Sequence, residues 1–315
     1  MRISVLDAAT LGADLDLSPL AALGELTVYA NTAPAEVAAR LAETDVAVIN
    51  KIKINAADLA GNTRLQMIAE CATGFDNIDL AACRARGIAV ANVVGYSTHS
   101  VAQLTLAMAL SLSTNLKVFR RTVDDGTYTA EGVANRLTPV FHELCGKTWG
   151  IVGYGNIGKQ VARVAEAMGC HVLAFAKSPK TGVENATLEE LFTRSDVVSV
   201  HLPLTPETRG IVDAHLLSLM KPDAILINVA RGAVTDEQAL ADAILTGRLG
   251  GLGVDVYSVE PLPADHPFRA LRGLDNVCMT PHMAWGAFEA RSRCLAEIAE
   301  NIAAFQRGEP RNRVD

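Results

Sequence analysis

Residues 146–169 read GKTWGIVGYGNIGKQVARVAEAMG, and this stretch decides the fold of the region around it. An apolar strand leads into Gly153, Gly155 and Gly158, and apolar side chains at helical spacing follow. Between a strand and a helix, glycines at these spacings permit a tight turn, close approach of the backbone to a pyrophosphate, and close packing of helix on strand. The first N–H groups of the helix would face the phosphates. The stretch therefore predicts a dinucleotide-binding unit rather than a glycine-rich turn without a ligand.

Short β-branched runs alternate with helical stretches on both sides of this motif. The runs before residue 100 are ISVLDA, LTVYA, VAVIN, LQMIAEC and IAVANV. Those after residue 145 are TWGIVG, HVLAFA, VVSVHL, AILINVA, GLGVDVY and NVCMTP. Strands that alternate with helices build parallel sheets through right-handed crossovers. The two series predict an α/β protein with two doubly wound Rossmann-like domains.

Two further helices are predicted outside these repeating units. A long helix from about residue 99 to 121 would connect the two domains. Its N-cap is expected to be one of three hydroxyl residues, Ser97, Thr98 or Ser100. A second helix near the C-terminus has one apolar side, formed by Leu295, Ile298, Ile302 and Phe305. Its periodicity alone does not indicate which surface it covers.

Composition and charge argue against several classes of protein. The longest nearly unbroken apolar stretch, residues 101–112, is far shorter than the roughly 20 residues of a membrane span. A net charge of -7 without a basic run makes nucleic acid an improbable partner, because phosphate neutralisation dominates that affinity. Six cysteines without a CxxC pair predict neither a disulfide framework nor a metal site. The N-terminus resembles a first strand rather than a signal peptide, so we expect a cytoplasmic protein.

The end of the strand in LAFAKSPK, residues 173–180, bears on the choice of cofactor. An NAD-binding unit has an acidic residue about 20 positions after the glycine motif, where it binds the ribose hydroxyls. Position 176, which lies 18 residues beyond Gly158, is Ala176, and Lys177, Ser178 and Lys180 surround it. Cations and a hydroxyl suit a 2′-phosphate better than a free diol. The sequence therefore favours NADP(H) over NAD(H), unless these lysines are only solvated loop charges.

Polar residues follow three of the predicted strands in the second half of the chain. Arg231 comes after an apolar strand, and its planar guanidinium matches a carboxylate. Asp255 is predicted within a strand, where a buried carboxylate must be partnered. His282 follows a third strand, and a carboxylate such as Glu260 would hold its ring and favour its protonation. Together with a nicotinamide site, an arginine and a histidine–carboxylate pair predict hydride transfer to a 2-keto acid.

The order of motifs resembles that of the D-isomer specific 2-hydroxyacid dehydrogenase family over nearly the whole chain. The matching stretches are ATGFDNIDLAA, NVVGYSTHSVAQ, GIVGYGNIG, HLPLTPETRGIVD, INVARGAVTDEQAL, GVDVYSVEP, TPHMAW and ENIAAFQRGEPRN. Within the family, ATGFDNIDL, GYSTHSVAQ, PHMAW and GEPRN are most similar to glycerate dehydrogenases, also called hydroxypyruvate reductases. The resemblance implies NAD(P)H-dependent reduction of hydroxypyruvate, glyoxylate or both to the D-2-hydroxy acid.

The resemblance also implies roles for individual residues. Arg231 would bind the substrate, His282 would be the general acid in reduction, and Glu260 would support His282. Substrate contacts from the other domain would come from Lys51, Thr73 and Gly74. The predicted cofactor contacts are Gly153, Tyr154, Gly155, Asn156, Ile157, Gly158, Ala176, Lys177, Ser178, His201, Pro203, Thr205, Ala230 and Asp255.

The family architecture implies that the nucleotide domain, residues 99–285, is inserted into the substrate domain, residues 1–98 and 286–315. It also implies a homodimer formed through the helical region after residue 98, and closure of the domains around the substrate. A dehydrogenase of D-lactate or of another D-2-hydroxy acid remains an alternative within the fold. A phosphoglycerate dehydrogenase often adds a regulatory domain, and formate dehydrogenases usually lack the Glu/His pair. A dinucleotide-binding corepressor or redox sensor is the alternative without turnover.

Overall fold

Every pairing between the strands of the computed structural model is parallel, and the structure describes residues 1–315. The chain forms two units. One comprises Met1–Ser97 with Gly286–Asp315, and the other comprises Thr98–Trp285. The assignment of substrate to the first unit and dinucleotide to the second stays a prediction.

The first unit contains a five-stranded sheet in the order β2-β1-β3-β4-β5. Its strands are β1 (Arg2–Val5), β2 (Glu25–Val28), β3 (Val46–Ile49), β4 (Met67–Glu70) and β5 (Ala89–Ala91). Its short helices are α1 (Ser18–Ala21), α2 (Val37–Ala42) and α3 (Leu80–Ala85). All residues of β3 and β4 are buried, as expected for central strands covered on both faces. The strand order reverses between β1 and β3, and ligands of such sheets bind at the carboxyl ends beside this point.

The second unit contains a seven-stranded sheet in the order β12-β11-β10-β9-β6-β7-β8. The strands are β6 (Thr148–Val152), β7 (His171–Phe175), β8 (Glu184–Asn185), β9 (Val197–Val200), β10 (Ile225–Asn228), β11 (Gly251–Val254) and β12 (Val277–Met279). The helices are α4 (Thr98–Ser113), α5 (Leu116–Asp124), α6 (Thr127–Glu131), α7 (Asn156–Ala167), α8 (Leu188–Arg194), α9 (Ala214–Leu219) and α10 (Glu237–Leu245). Here the order reverses between β6 and β9.

Two apolar clusters cover the faces of the second sheet. Ile151 belongs to one cluster and Val152 to the other, because consecutive strand residues point to opposite faces. Trp149 is fully buried in the first of these clusters, and its indole Nε1–H donates to Ser199 Oγ at 2.9 Å. The sheet is therefore fixed between two packed layers, which hold the ends of its strands in place.

The predicted α/β class with two parallel sheets is confirmed, and each predicted run overlaps a strand. The predicted long helix is wrong in its extent, because α4 ends at Ser113 and α5 starts at Leu116. Asn115 between them has a φ of 51°, a left-handed conformation that asparagine tolerates better than most residues. The two-residue strand β8 was not predicted, since its exposed residues carry no apolar pattern.

The last helix, α11 (Phe288–Gln306), belongs to the first unit and contacts β4. Leu295, Ile298 and Ile302 are buried there, as their spacing predicts. Beyond α11 the chain returns to β5, where the N–H of Val314 donates to the carbonyl of Val90 at 2.9 Å. No helix combines the length and apolar character that a membrane crossing requires.

Candidate functional site

The glycine motif forms the turn between β6 and α7. Gly153 has a φ of 104°, and a Cβ there would lie 2.8 Å from the carbonyl carbon of His201. A Cβ on Gly158 would overlap the carbonyl oxygen of Gly153. A Cβ on Gly155, in contrast, would have no protein atom within 4 Å. Two glycines therefore serve the packing of the turn, whereas Gly155 leaves open space beside the first N–H groups of α7, as a pyrophosphate requires.

The other residues of the motif line the same turn. Tyr154 is half-buried, and burial raises the pKa of its phenol. Asn156 is exposed as the first residue of α7, and Ile157 packs on the apolar cluster that contains Trp149. The turn is thus anchored by Tyr154 and Ile157, which pack on this cluster, and the start of α7 stays exposed. This arrangement suits an anion that is bound by main-chain N–H groups.

The residues after β7 form a small polar cluster. Ala176 directly follows the strand, Lys177 and Ser178 are exposed, and the Lys180 ammonium donates to Ser178 Oγ at 3.3 Å. Sequence reasoning missed Glu207, which is also exposed. A hydrogen bond with the Thr205 hydroxyl lowers the pKa of the Glu207 carboxyl, and the positive charge of Lys177 contributes in the same direction. The Glu207 carboxylate therefore lies near Lys177.

His201 lies directly after β9, beside the glycine turn. Its Nε2 is 3.0 Å from Ser199 Oγ, which also accepts the indole N–H of Trp149. With the indole as donor, the serine hydroxyl can donate to Nε2, and Nδ1 then carries the hydrogen. Burial lowers the pKa of His201 to about 3, so the ring is neutral at physiological pH. Nδ1 is buried and has no hydrogen-bond partner in the protein.

The loop that follows His201 closes on itself. The Thr208 hydroxyl donates to the carbonyl of Pro203 at 2.6 Å, and the N–H of Thr205 donates to Thr208 Oγ1 at 2.8 Å. These bonds give Pro203 and Thr205 a fixed position near the carboxyl edge of the sheet. The predicted cofactor contacts on this loop therefore have a defined backbone.

The turn that carries Arg231 follows β10. The amide of Asn228 donates to the carbonyl of Arg231 at 3.0 Å, and Arg231 Nη1 donates to the carbonyl of Ala230 at 2.9 Å. A Cβ on Gly232 would overlap the backbone of Tyr257 and Ser258. The arginine turn thus lies directly against the loop that follows β11, and glycine permits this close approach.

Glu260 and His282 form a direct pair. Glu260 Oε2 is 2.6 Å from His282 Nδ1, and their side chains are 31% and 18% exposed. Glu260 Oε1 accepts the N–H of Tyr257 at 3.0 Å, and the Tyr257 hydroxyl donates to the carbonyl of Thr280 at 2.9 Å. His282 has a φ of 54°, which is uncommon for a residue other than glycine. Both side chains are therefore oriented by their loops while remaining partly open.

Asp255 holds the loop that bears His282. It lies directly after β11 rather than within a strand, so that prediction is wrong by one residue. Its carboxylate accepts hydrogen bonds from Thr280 Oγ1 at 2.5 Å, and from the N–H groups of Met283 and Ala284 at 2.8 Å each. Burial raises the pKa of Asp255, while these three bonds and the charge of His282 act against the rise. The carboxylate is thus satisfied within the protein.

The predicted substrate residues of the first unit lie at the carboxyl edge of its sheet. Lys51 follows β3, and its N–H donates to Asp7 Oδ2 at 2.6 Å. Thr73 and Gly74 follow β4. The Thr73 hydroxyl donates to the carbonyl of Val93 at 2.7 Å, and the Asn92 amide donates to the carbonyl of Thr73 at 2.7 Å.

Two buried acids of the first unit were missed by sequence reasoning. Asp7 accepts N–H groups of the Lys51 loop, and burial raises the pKa of its carboxyl against these bonds. Glu70 is fully buried, and burial holds the pKa of its carboxyl well above the usual range. Its Oε2 accepts the Asn77 amide at 3.0 Å, and the same amide donates to the carbonyl of Ile52 at 2.8 Å. The only sequence signal was an acidic residue at the end of each apolar strand.

Comparison with known proteins identifies the family. The family model described as "D-isomer specific 2-hydroxyacid dehydrogenase, NAD binding domain" matches residues 106–284. The chain belongs to the D-isomer specific 2-hydroxyacid dehydrogenase family. It is 37% identical to a glycerate dehydrogenase of Methylorubrum extorquens, over 90% of this chain and 89% of that enzyme. It is 34% identical to a hydroxypyruvate reductase of Blautia hydrogenotrophica, with both chains covered completely.

A solved structure extends the comparison to three dimensions. An acyclic imino acid reductase (Bsp5) in complex with NADPH and D-Arg superposes with a TM-score of 0.87 and 30% identity, with both chains covered completely. The 2-hydroxyacid dehydrogenase chain is thus an NAD(P)-dependent oxidoreductase of small 2-hydroxy or 2-keto acids. A corepressor or sensor without turnover is not favoured by these relatives.

Proposed function

We propose that this dehydrogenase reduces hydroxypyruvate, glyoxylate or both to the corresponding D-2-hydroxy acid with NAD(P)H. The observation that carries the proposal is the 2.6 Å contact between Glu260 and His282 at the carboxyl edge of a dinucleotide-binding sheet. A histidine with a carboxylate on one ring nitrogen is suited to give a proton to a carbonyl oxygen. The similarity to a glycerate dehydrogenase and a hydroxypyruvate reductase supports this choice of substrate.

The residues of the second unit fit a dinucleotide. The space beside Gly155 is one that a Cβ would fill, and the start of α7 offers main-chain N–H groups there. The orphaned Nδ1 of His201, buried beside the glycine turn, adds a hydrogen-bonding group that a bound molecule would satisfy. When bound, the reduced cofactor would supply the hydride. Gly153, Gly155, Gly158 and the loop through Thr205 would hold it.

The protein would supply the proton and the orientation of the substrate. With Glu260 on Nδ1, His282 would donate from Nε2 to the carbonyl oxygen and would accept the proton in the reverse reaction. Arg231 would bind the substrate carboxylate through its planar guanidinium. Lys51, Thr73 and Gly74 of the first unit would supply further substrate contacts. Fixing the keto acid in one orientation converts the step into an effectively intramolecular one.

Substitution of the histidine tests the proposed chemistry. We expect His282→Ala to lower turnover by about 10²- to 10⁴-fold, because a positioned proton donor contributes that much, with cofactor affinity unchanged. The assay is the loss of NAD(P)H absorbance with hydroxypyruvate, glyoxylate or pyruvate. His171→Ala, an exposed histidine at the start of β7, is the matched control. Equal rates in His282→Ala and the parent would contradict the assignment, and cofactor binding without turnover of any keto acid would favour a binding protein.

We further propose that the enzyme prefers NADPH. The support is the absence of a carboxylate at Ala176 and the cluster of Lys177, Ser178 and Lys180 beside it. The neighbouring Glu207 opposes this preference, since its charge would repel a 2′-phosphate. We expect Ala176→Asp to shift kcat/KM toward NADH and Glu207→Gln to shift it toward NADPH. Better use of NADH than of NADPH by the parent would overturn the proposal.

We also propose a homodimer formed through the helical region that follows residue 98. Large apolar side chains are exposed there: Leu110, Leu116, Val123, Val133, Leu137, Val140 and Phe141. A single soluble chain rarely exposes such a group of apolar residues without a partner. We expect light scattering after size-exclusion chromatography to give twice the chain mass, and Val140→Asp to give the monomer. A monomeric parent would refute the dimer. The cytoplasmic location stays a prediction.

A further inference from the structure

A buried carboxylate outside the predicted active site binds the loop that carries Glu260. Glu237, the first residue of α10, is only 9% exposed. Its Oε1 accepts the N–H of Ser258 at 2.8 Å, and its Oε2 accepts the Ser258 hydroxyl and lies 3.0 Å from His266 Nε2. Burying a carboxylate is costly unless hydrogen bonds compensate. The Glu237 carboxylate has three donors, and two of them, the N–H and the hydroxyl, belong to Ser258 of the Glu260 loop.

The tautomer of His266 is fixed by its surroundings. The N–H of Phe268 donates to His266 Nδ1 at 3.1 Å, so Nδ1 is an acceptor and Nε2 carries the hydrogen that faces Glu237. The ring also lies 5.0 Å from the Phe268 ring and 5.9 Å from the Tyr257 ring, measured between centroids. His266 therefore acts as a fixed donor to Glu237 and as a packing surface for Tyr257.

The loop of residues 257–260 is anchored at Tyr257 and at Ser258. Tyr257 is held by the aromatic contacts and by its hydroxyl bond to Thr280, and its N–H donates to Glu260 Oε1. Ser258 is held by Glu237. The backbone of both residues lies against Gly232. Among the residues outside the loop that anchor it, Glu237 is the one with a carboxylate.

We propose that Glu237, together with His266, is a positioning residue for proton transfer. It fixes Ser258 and thereby keeps Glu260 at hydrogen-bond distance from His282. This inference rests on the proposed function of the Glu260–His282 pair. Glu237 acts through the loop and belongs to the helix behind it, so its effect is on the geometry of the pair rather than on the substrate.

Glu237→Gln is the decisive variant, because it keeps the shape of the side chain. If the amide oxygen accepts the Ser258 N–H, the NH₂ group faces the Nε2–H of His266, and in the flipped orientation the NH₂ group faces the Ser258 N–H. A donor then meets a donor, and the loop relaxes away from His282. We expect kcat for hydroxypyruvate reduction to fall about ten-fold, a fraction of the full contribution of a general acid. KM should change less than about two-fold.

The pH profile separates positioning from a merely structural role. In the proposed reduction His282 gives the proton, and the charged groups near its ring include Glu260 and Asp255. If the Glu260 carboxylate moves away from His282 while Asp255 keeps its position, the negative charge that favours a proton on the ring is weakened. The basic limb of the kcat profile should then move to lower pH. Ser258→Ala, which removes only the hydroxyl bond, should shift the profile in the same direction by a smaller amount. Gln238→Ala, an exposed neighbour on α10, is the control and should behave as the parent.

Two results would overturn the inference. One is a Glu237→Gln enzyme with the parental pH profile and kcat, and the other is an equal loss of kcat when Glu237→Gln is introduced into His282→Ala. An equal loss in the His282→Ala background would mean that Glu237 affects kcat independently of His282. If Glu237→Gln does not fold, Ser258→Ala and the double variant Ser258→Ala with His282→Ala give the same two readouts. Parental rates in His282→Ala alone would instead refute the proposed function.

Discussion

Replacing Glu70 by glutamine should stabilise the folded chain, and the gain should grow with pH. Glu70 is the last residue of β4 and is 0% exposed. Burial raises the pKa of its carboxyl well above the usual range, the bond from Asn77 opposes the rise, and the nearby charge of Asp7 adds to it. A glutamine has the shape of the protonated carboxyl and can still accept the Asn77 hydrogen bond. It has no proton to lose.

The sign follows from proton linkage. At low pH, Glu70 carries a proton in both the folded and the unfolded chain. As pH rises through the ordinary glutamate pKa of about 4.3, the unfolded chain releases this proton while the folded chain retains it. The free energy of unfolding therefore falls by about 1.4 kcal/mol for each pH unit until the folded pKa is reached. Between pH 5 and pH 7 the parent loses up to about 3 kcal/mol through this group, and Glu70→Gln does not.

Urea denaturation between pH 5 and pH 8, followed by circular dichroism, measures this difference. The stabilities of parent and Glu70→Gln should be closest at pH 5 and should diverge as pH rises. Glu300→Gln, an exposed glutamate on α11 in the same unit, should follow the parent at every pH. Parallel curves with the glutamine variant less stable throughout would refute the reasoning, because they would show that folded Glu70 is ionised and paired with Lys51.

Three further predictions concern the second unit. Gly155→Ala should leave thermal stability unchanged, because the new Cβ meets no protein atom, but should weaken NADPH binding at least ten-fold in a fluorescence titration. Gly158→Ala should lower the melting temperature, because its new Cβ would overlap the carbonyl oxygen of Gly153. Asp255→Asn should destabilise the chain by about 1–3 kcal/mol in thermal denaturation, because an amide NH₂ would face a buried N–H; a variant as stable as the parent would contradict this. Arg231→Lys should raise KM for hydroxypyruvate about ten-fold in steady-state assays, because the planar guanidinium is lost; an unchanged KM would argue against carboxylate binding.

The sequence predicted those features that depend on neighbouring residues. The strand cores and the glycine turn follow from apolar runs and from the spacing of Gly153, Gly155 and Gly158, both of which act locally. Asp236 caps α10 in the same local way, since its carboxylate accepts the N–H of Ala239 at 3.0 Å. The interruption at Asn115 was missed, because the apolar pattern continues through it and only a single backbone angle changes.

The sequence could not predict contacts between distant segments. Glu237 looked like an ordinary residue of a helical first turn, yet it binds Ser258 and His266, which lie 21 and 29 positions further along the chain. Asp7 binds the loop after β3, 44 positions away at Lys51. A single sequence does not show whether an acidic residue is buried or exposed, because segments far away in the chain determine its burial. The roles of the predicted site residues stay predictions for the same reason.

The two buried aspartates suggest how the loops at the carboxyl ends of β3 and β12 can change over evolution. Asp7 holds its loop through the N–H groups of Asn50 and Lys51, and Asp255 holds its loop partly through those of Met283 and Ala284. Main-chain N–H groups are present in every residue except proline. Exchange of the exposed side chains of Lys51 and Met283 therefore leaves these main-chain bonds in place. Selection or design can alter the chemistry of these surfaces one side chain at a time while the scaffold beneath them stays the same.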